Sequence, residues 1–306
     1  VNPWFARLNF SSAQATMRRL DKAFVAFFRR VKDGEKPGYP RFRGRDRYES
    51  IEFPSHGDGI RLTGNRLRVQ HVGMLRVNLH RPVDGEIKTL TLSRQGEKWY
   101  LIVSCDLGEA SVPTTSLPPV GLDVGIESFL TTSDGEQVEN PRYLKTALPK
   151  LRREQRSLSR KKKGGKNRGK QRRQVTRMHA RVRNLRHEHR HTVANDLIRR
   201  YGVFAVERLN IRGMLGNHRL ARAIADAAWN GFVQVLGYKA ESAGGAVIAV
   251  NPRGTSQECS GCGAEVRKPL SQRRHDCPHC GLALHRDENA ARNILARALQ
   301  ARTEPV

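Results

Sequence analysis

Four cysteines stand as two CxxC pairs, Cys259 with Cys262 and Cys277 with Cys280, and each pair is followed by a glycine, Gly263 and Gly281. Four thiolates at this spacing make a closed tetrahedral site for one structural Zn²⁺ and leave no position for a water. The glycines let backbone amides turn in toward the sulfurs. A redox pair is the alternative, but that chemistry needs only one CxxC, at a helix N-terminus. His275, His279 and His285 lie nearby and read as surface residues, because the thiolates already complete the shell. Three carboxylates carry a second kind of chemistry. Asp123 sits inside the apolar stretch VGLDVG, Glu207 ends VFAVE, and Asp287 opens DENAARNILARAL. An ionised acid in an apolar strand is costly unless a metal or another cation compensates it. Taken singly, Asp123 reads equally as a buried structural acid, and Asp287 reads first as a helix cap.

The elements that must position these groups follow from hydrophobic period. Met17, Leu20, Phe24, Phe27, Phe28 and Val31 recur at helical spacing after Ser11 and Ser12, which predicts a capped helix with a packing face. It stops in DGEKPGYPRFRGR, whose Arg41, Arg43, Arg45 and Arg47 are placed to meet phosphate. From Ile51 to Asp106 the period is two, with Gly64–Asn65, Asp84–Gly85 and Gln95–Lys98 as turns, which predicts an antiparallel barrel or sheet. Cys105, within WYLIVSC, reads as a small buried hydrophobe, so the cysteines form no disulfide framework. Pro113 to Pro119 mark a linker. Three strands follow in VGLDVGIESFLTTSDGEQVENP, then two basic helices broken at KKKGGKNRGK, a strand in YGVFAVERLN, a helix from about Leu220 to Ala243, and a strand in GGAVIAVNP.

The charge names the partner. The 306 residues carry 56 Lys+Arg against 29 Asp+Glu, a net charge of +27, the footprint of a protein that binds a polyanion. Between Lys150 and Arg200 there are 20 Lys+Arg and 3 Asp+Glu. Such density repels itself without counterions, and phosphate is the natural compensation, with Lys161, Lys162, Lys163, Arg172 and Arg173 as contacts. His187 and His191, at i and i+4, have metal spacing but read as part of that phosphate-facing surface. The longest apolar run, Ala246 to Val250, is far too short to span a bilayer, and no secretory segment opens the chain, so a cytoplasmic protein with no membrane partner is expected. Phosphate-loop, HExxH and GxSxG signatures are lacking.

The order of the acids links the two observations. A strand with a central acid, a hairpin, a later strand ending in an acid and a late helix opening with one is the layout of an RNase H-like nuclease core. Converging carboxylates would repel unless divalent cations lay between them. Two Mg²⁺ or Mn²⁺ ions about 3.5–4 Å apart can activate a water and stabilise a leaving oxygen. Asn289, Arg292 and Asn293, on the same helix as Asp287, either steady that site or the strand, or lie on the helix surface.

Several segments together, FFRRVKDGEKPGYPRFRGR, VGLDVGIESFLTTSDG, FAVERLNIRGM, ADAAWNGFVQVLGYKAE, NPRGTSQECSGCG and CPHCGLALHRDENAARNIL, resemble the TnpB (OrfB) family. Its members are insertion-sequence-encoded, RNA-guided DNA endonucleases related to type V CRISPR effectors. The resemblance implies an α/β multidomain chain. Residues 1–48 correspond to a helical recognition segment and 49–117 to a wedge β-barrel that holds guide RNA. Residues 118–251 correspond to a RuvC nuclease core carrying the basic hairpin 145–200, 252–286 to a zinc-ribbon insertion, and 287–306 to the last RuvC helix. It further implies that Asp123, Glu207 and Asp287 are catalytic, that the four cysteines bind zinc, and that the partners are a transposon-encoded guide RNA and a target DNA. Family members begin with a wedge strand and a first recognition helix that are not found here. Val1 fits either an alternative start codon or a chain without its beginning. Two other functions share these residues, a non-catalytic nucleic-acid binder and a strand-joining transposase.

Overall fold

Asn9, rather than either expected serine, starts the first helix. The computed structural model describes residues 8–44, 47–109, 114–269 and 271–303. In α1 (Phe10–Lys32) the Asn9 side chain accepts the amide of Ser12 at 2.9 Å, while the Ser12 hydroxyl donates back to the Asn9 carbonyl at 3.0 Å. The predicted packing face is largely uncovered: Met17 is 65% exposed and Phe28 62%, with Ala15 the buried residue of the helix. Phe24 and Phe27 meet Tyr39 edge-on at 5.7 and 5.4 Å, and α1 reaches its neighbouring strand through Arg19, which bonds Ser50 and Glu52. A polar contact stands where an apolar one was expected.

The chain divides into two compact units, Val1–Ala110 and Ser111–Val306. The first continues with β1 (Ser50–Phe53), β2 (Ile60–Thr63), β3 (Arg66–Val69), β4 (Gly73–Arg76), β5 (Glu86–Gln95) and β6 (Lys98–Asp106). These form two antiparallel sheets, β1-β5-β6 and β2-β3-β4, around Phe53, Ile60, Leu67, Val69 and Leu90. Asp84–Gly85 does not close a hairpin, because β4 pairs with β3 and β5 pairs with β1 and β6. Gly85 (φ +80°) is needed there for close approach: a Cβ would lie 2.3 Å from the Asp106 carbonyl oxygen. Cys105 is half-buried, not enclosed.

The second unit is built on five strands. β7 (Pro119–Val124), β8 (Ser128–Thr132) and β9 (Gln137–Glu139) form a meander, after which come α2 (Tyr143–Arg160), α3 (Lys166–Arg200) and β10 (Val203–Glu207). Next are α4 (Ile211–Met214), α5 (Ala221–Ala227), α6 (Trp229–Ser242), β11 (Ala246–Val250), β12 (Arg274–Asp276), β13 (Ala283–His285) and α7 (Arg286–Thr303). The sheet order is β11-β10-β7-β8-β9, with β10 parallel to both β7 and β11. Alternation along the strands sorts the two faces. Val120, Leu122, Phe204 and Val206 pack with Val193, Leu197, Phe232 and Leu236 of α3 and α6. Ala205 and Val250 pack with Ile294 and Ala298 of α7 on the opposite face. The α7 backbone lies directly on β7, since a Cβ on Gly121 would come 2.0 Å from the Ala291 carbonyl oxygen.

Two expected elements differ in extent. The helix predicted over 220–243 breaks at Ala228, which adopts a left-handed conformation (φ 55°) and lets Ala227 and Trp229 both enter the core. An alanine there costs about 1 kcal/mol, and its residue type gives no sign of it. The break between the basic helices spans residues 161–165 only. Arg168 donates to the carbonyls of Leu158 (2.7 Å) and Lys161 (2.9 Å), closing the C-terminus of α2. The other end of α2 is capped from a distance: Asp226 accepts the amides of Leu144 and Lys145 at 3.0 and 3.2 Å, and the Arg186 guanidinium at 2.9 and 2.6 Å. Among the described residues no helix is long and apolar enough to cross a membrane.

Candidate active site and metal knuckle

The strand period that puts Val120 and Leu122 against α3 and α6 turns Gly121 and Asp123 to the other face, toward α7. In β10 the same alternation sets Glu207 on the face of Ala205. Val206 pairs with Leu122, so Asp123 and Glu207 end neighbouring parallel strands one step beyond that pair. Asp287 arrives in the first turn of α7, the helix that covers this face. Asp123 and Glu207 are therefore carried to the C-terminal ends of two interior strands, on the face that α7 covers.

Electrostatics record their proximity. Asp123 is pushed well above the ordinary carboxylate range by burial first, then by the charges of Glu207 and Asp287, with Arg286 opposing. Burial also raises Glu207, against the Thr255 hydroxyl and Arg297. Thr255 donates to Glu207 Oε1 at 2.5 Å, whereas the Asp123 side chain has no hydrogen bond or ion pair among the described residues. A desolvated carboxylate beside two others, with Arg286 near but not paired with it, fits a divalent cation, and all-oxygen donors suit Mg²⁺ or Mn²⁺. Asp287 Oδ2 lies 3.9 Å from His285 Nδ1, which accepts the Asp287 amide at 3.3 Å.

The cysteines assemble locally. Both knuckles use the same bonds: Gly263 N to Cys259 O (2.8 Å) and Cys259 N to Ala264 O (2.9 Å), then Gly281 N to Cys277 O (3.0 Å) and Cys277 N to Leu282 O (2.8 Å). Gly263 and Gly281 have φ of +77° and +74°, as the turns require. The four sulfurs lie within 4.8 Å of one another, with Cys259–Cys280 at 3.6 Å and Cys262–Cys277 at 3.7 Å. Zinc–sulfur bonds of about 2.3 Å give a tetrahedron whose edge is about 3.8 Å, so the cluster fits that ion. Burial raises the Cys277 thiol, but the amides of Cys280 and His279 and the adjoining sulfurs outweigh it and bring it down to about 6. The Leu282 amide lowers Cys280, yet its bonds with Cys262 and the other thiols push it up to about 12. Neighbouring thiols resist shared ionisation until a cation joins them.

His279 is exposed and His285 half-buried, but His275 is fully enclosed, with 0% exposure. That overturns its reading as a surface residue. On β12 it alternates with exposed Arg274 and Asp276 and turns its Nδ1 to the buried Lys268 ammonium, so Nδ1 is the acceptor. Asn289 and Asn293 are buried rather than helix surface. Asn289 accepts the Ser260 amide and donates to Glu258 O, and Asn293 donates to Thr255 O and Glu258 O, all within 2.7–2.9 Å. Arg292 donates to Ser133 O at 3.3 Å and pairs with Glu288 at 2.7 Å.

Of the residues expected to meet phosphate, Arg41, Arg43, Lys162, Lys163, Arg172 and Arg173 are exposed and Lys161 is half-buried. Arg43 lies 5.8 Å over the Tyr48 ring, and Arg45 falls outside the described residues. A second basic feature went unread in the sequence. Arg152, Arg156 and Arg160, one turn apart on α2, line an open groove of about 650 Å³ with Arg153 and Lys161, and no acid lines it. None of those three arginines has a hydrogen bond or ion pair from its guanidinium among the described residues. Their i, i+4 spacing was the available signal. His187 and His191 face each other at 3.1 Å between Nε2 atoms, and the cysteines are the only described group of three or more metal-type side chains as close as 4.8 Å.

Two family models match the chain. One, OrfB_IS605, described as "Probable transposase", covers residues 103–218, and the other, "Cas12f1-like, TNB domain", covers 229–294. A Streptomyces pristinaespiralis protein named "Putative RNA-guided DNA endonuclease" is 34% identical over 94% of this chain and 71% of its own length. "Putative RNA-guided DNA endonuclease InsQ" of Escherichia coli K12 is 32% identical over 92% of this chain and 73% of its own length. Among solved structures, a cryo-EM CRISPR-Cas12f ternary complex aligns at a TM-score of 0.44 and 20% identity, covering 69% of this chain and 46% of that one.

Proposed function

The chain belongs to the TnpB (OrfB) family, and we propose that it is an RNA-guided DNA endonuclease of a transposable element, acting in the cytoplasm and dependent on Mg²⁺ or Mn²⁺. One observation carries the hydrolytic part of this reading: at the C-terminal end of β7, Asp123 is desolvated, feels the charges of both Glu207 and Asp287, and its side chain has no hydrogen bond or ion pair among the described residues. The strand order β11-β10-β7-β8-β9, with β8 alone running antiparallel to the other four, supports an RNase H-like (RuvC) core over 118–251 completed by α7. Residues 252–286 then form a zinc ribbon, 49–117 a wedge-like barrel and 1–48 a recognition segment.

Asp123, Glu207 and Asp287 would hold the cations, whose role when bound is to activate a water and stabilise the leaving oxygen of a phosphodiester. Rigid strand ends keep Asp123 and Glu207 at fixed separation, and the α7 seat on Gly121 sets Asp287 against them. The cysteine knuckles would hold one structural Zn²⁺ and leave it no open position. Arg41, Arg43, Arg45, Lys161–Lys163, Arg172, Arg173 and the groove of Arg152, Arg156 and Arg160 would contact phosphates of the guide RNA and target DNA.

The test is to purify the protein with co-expressed element RNA and to measure Mg²⁺-dependent cleavage of DNA matching the guide. Asp123→Ala should abolish cleavage and leave RNA retention unchanged. Cleavage by the variant at the parent rate rejects the triad.

A further inference from the structure

We propose that Thr255 is a positioning residue for Glu207, and that through it the cysteine ribbon helps to orient the acid site. The inference rests on the proposed role of Glu207. Thr255 lies five residues beyond Val250, the β11 partner of Glu207, in a strap that folds back over the strand end and then enters the first knuckle at Cys259. It is 1% exposed. Its hydroxyl has one proton and two acceptors within reach, Glu207 Oε1 at 2.5 Å and the Pro252 carbonyl at 3.0 Å. A carboxylate is the stronger acceptor, so the proton goes to Glu207 whenever that group is ionised.

This bond is the only hydrogen bond to the Glu207 side chain among the described residues, so it alone fixes the rotation of the carboxylate and leaves Oε2 uncommitted. The donor itself cannot drift. Asn293 holds the Thr255 carbonyl at 2.9 Å and the Glu258 carbonyl at 2.7 Å, and Asn289 holds Glu258 O and Ser260 N. Arg297 grips both ends of the strap, at Asn251 O (2.9 Å), Arg253 O (2.6 Å) and Glu258 Oε2 (2.6 Å). All three clamps stand on α7, the helix that also supplies Asp287. The strap, the knuckle and two of the three acids thus share one hydrogen-bonded framework, and Thr255 is where it touches Glu207.

The experiment compares Thr255→Val, Thr255→Ser and Glu207→Gln with the parent, each purified with co-expressed RNA. Four readouts are taken: single-turnover cleavage, Mg²⁺ half-saturation, direct Mn²⁺ binding, and zinc content with thermal midpoint. Valine keeps the shape and removes the hydroxyl. It is expected to slow cleavage by about 10- to 100-fold and weaken Mn²⁺ binding, in the range found when a group orienting a metal ligand is lost. DNA affinity and zinc content should not move, and serine should recover most of the rate. Parent-like cleavage and Mn²⁺ binding in Thr255→Val, with Glu207→Gln inactive, overturns the positioning role and leaves the nuclease reading standing. Parent-like cleavage by Glu207→Gln removes the reading beneath it. If valine lowers the thermal midpoint or zinc content, Thr255→Ser against Thr255→Ala decides, and equal loss of Mn²⁺ binding in both rejects the proposal.

Discussion

The cysteine knuckles and the acid site both adjoin α7, yet they are assembled in opposite ways. The knuckles form from two short turns with identical backbone bonds, and their sulfurs already stand 3.6–3.7 Å apart. The acids come from two strands and a helix separated by long sequence intervals, and their convergence depends on sheet register and on how closely α7 approaches β7. A locally built site depends on its own turns, whereas a site built by topology inherits every displacement of its elements. The contrast extends to energy, because ordered thiols favour a cation whose binding supplies folding free energy, while crowded carboxylates destabilise the fold until one arrives.

The sharpest way to break this contrast is at its two centres. Asp123→Asn should lower cleavage by on the order of 10³-fold, about 4 kcal/mol of transition-state stabilisation, with zinc content unchanged. In Mg²⁺-free buffer its thermal midpoint should rise, because a desolvated like charge is gone; a fall would contradict the electrostatic account. Cys277→Ser should do the reverse, losing zinc by elemental analysis and destabilising the fold by at least about 3 kcal/mol. Gly121→Ala separates local from topological assembly: the clash with Ala291 should cost about 1–3 kcal/mol and reduce cleavage while zinc binding persists. Replacing Arg152, Arg156 and Arg160 together by Gln should flatten the slope of log affinity against log salt by about 2 to 3, read by titration of DNA at several ionic strengths. The smallest effect concerns His189, whose pKa burial lowers and whose ring packs edge-on to Phe129 at 4.8 Å. The unfolded chain binds that proton more readily, so stability is full above about pH 6.5 and declines as pH falls through the lowered value. His189→Gln should lessen that decline in acid melts.

What was legible in the sequence was whatever rests on local chemistry or strand period. The CxxC-Gly repeats, the three strands around Asp123 and the strand ending at Glu207 could all be read, as could the order of the acids. The Ala228 break could not, because alanine has no preference for the conformation it adopts there. The exposed stripe of α1 was misread, since periodicity shows that apolar residues share a face and not that anything covers it. His275 was placed outside by counting ligands, although alternation with Arg274 and Asp276 marked it as inward-facing. The roles of Asn289, Asn293 and Thr255 depend on a chain reversal after β11 that no residue pattern announces.

Asp226 has a mechanical consequence. A single carboxylate bolts together the first turn of α2, the side of α3 and the end of α5, so the long basic arm has a fixed root and not a swivel. A load applied along the arm by a bound polymer is transmitted to the central sheet instead of being lost in free rotation at its base.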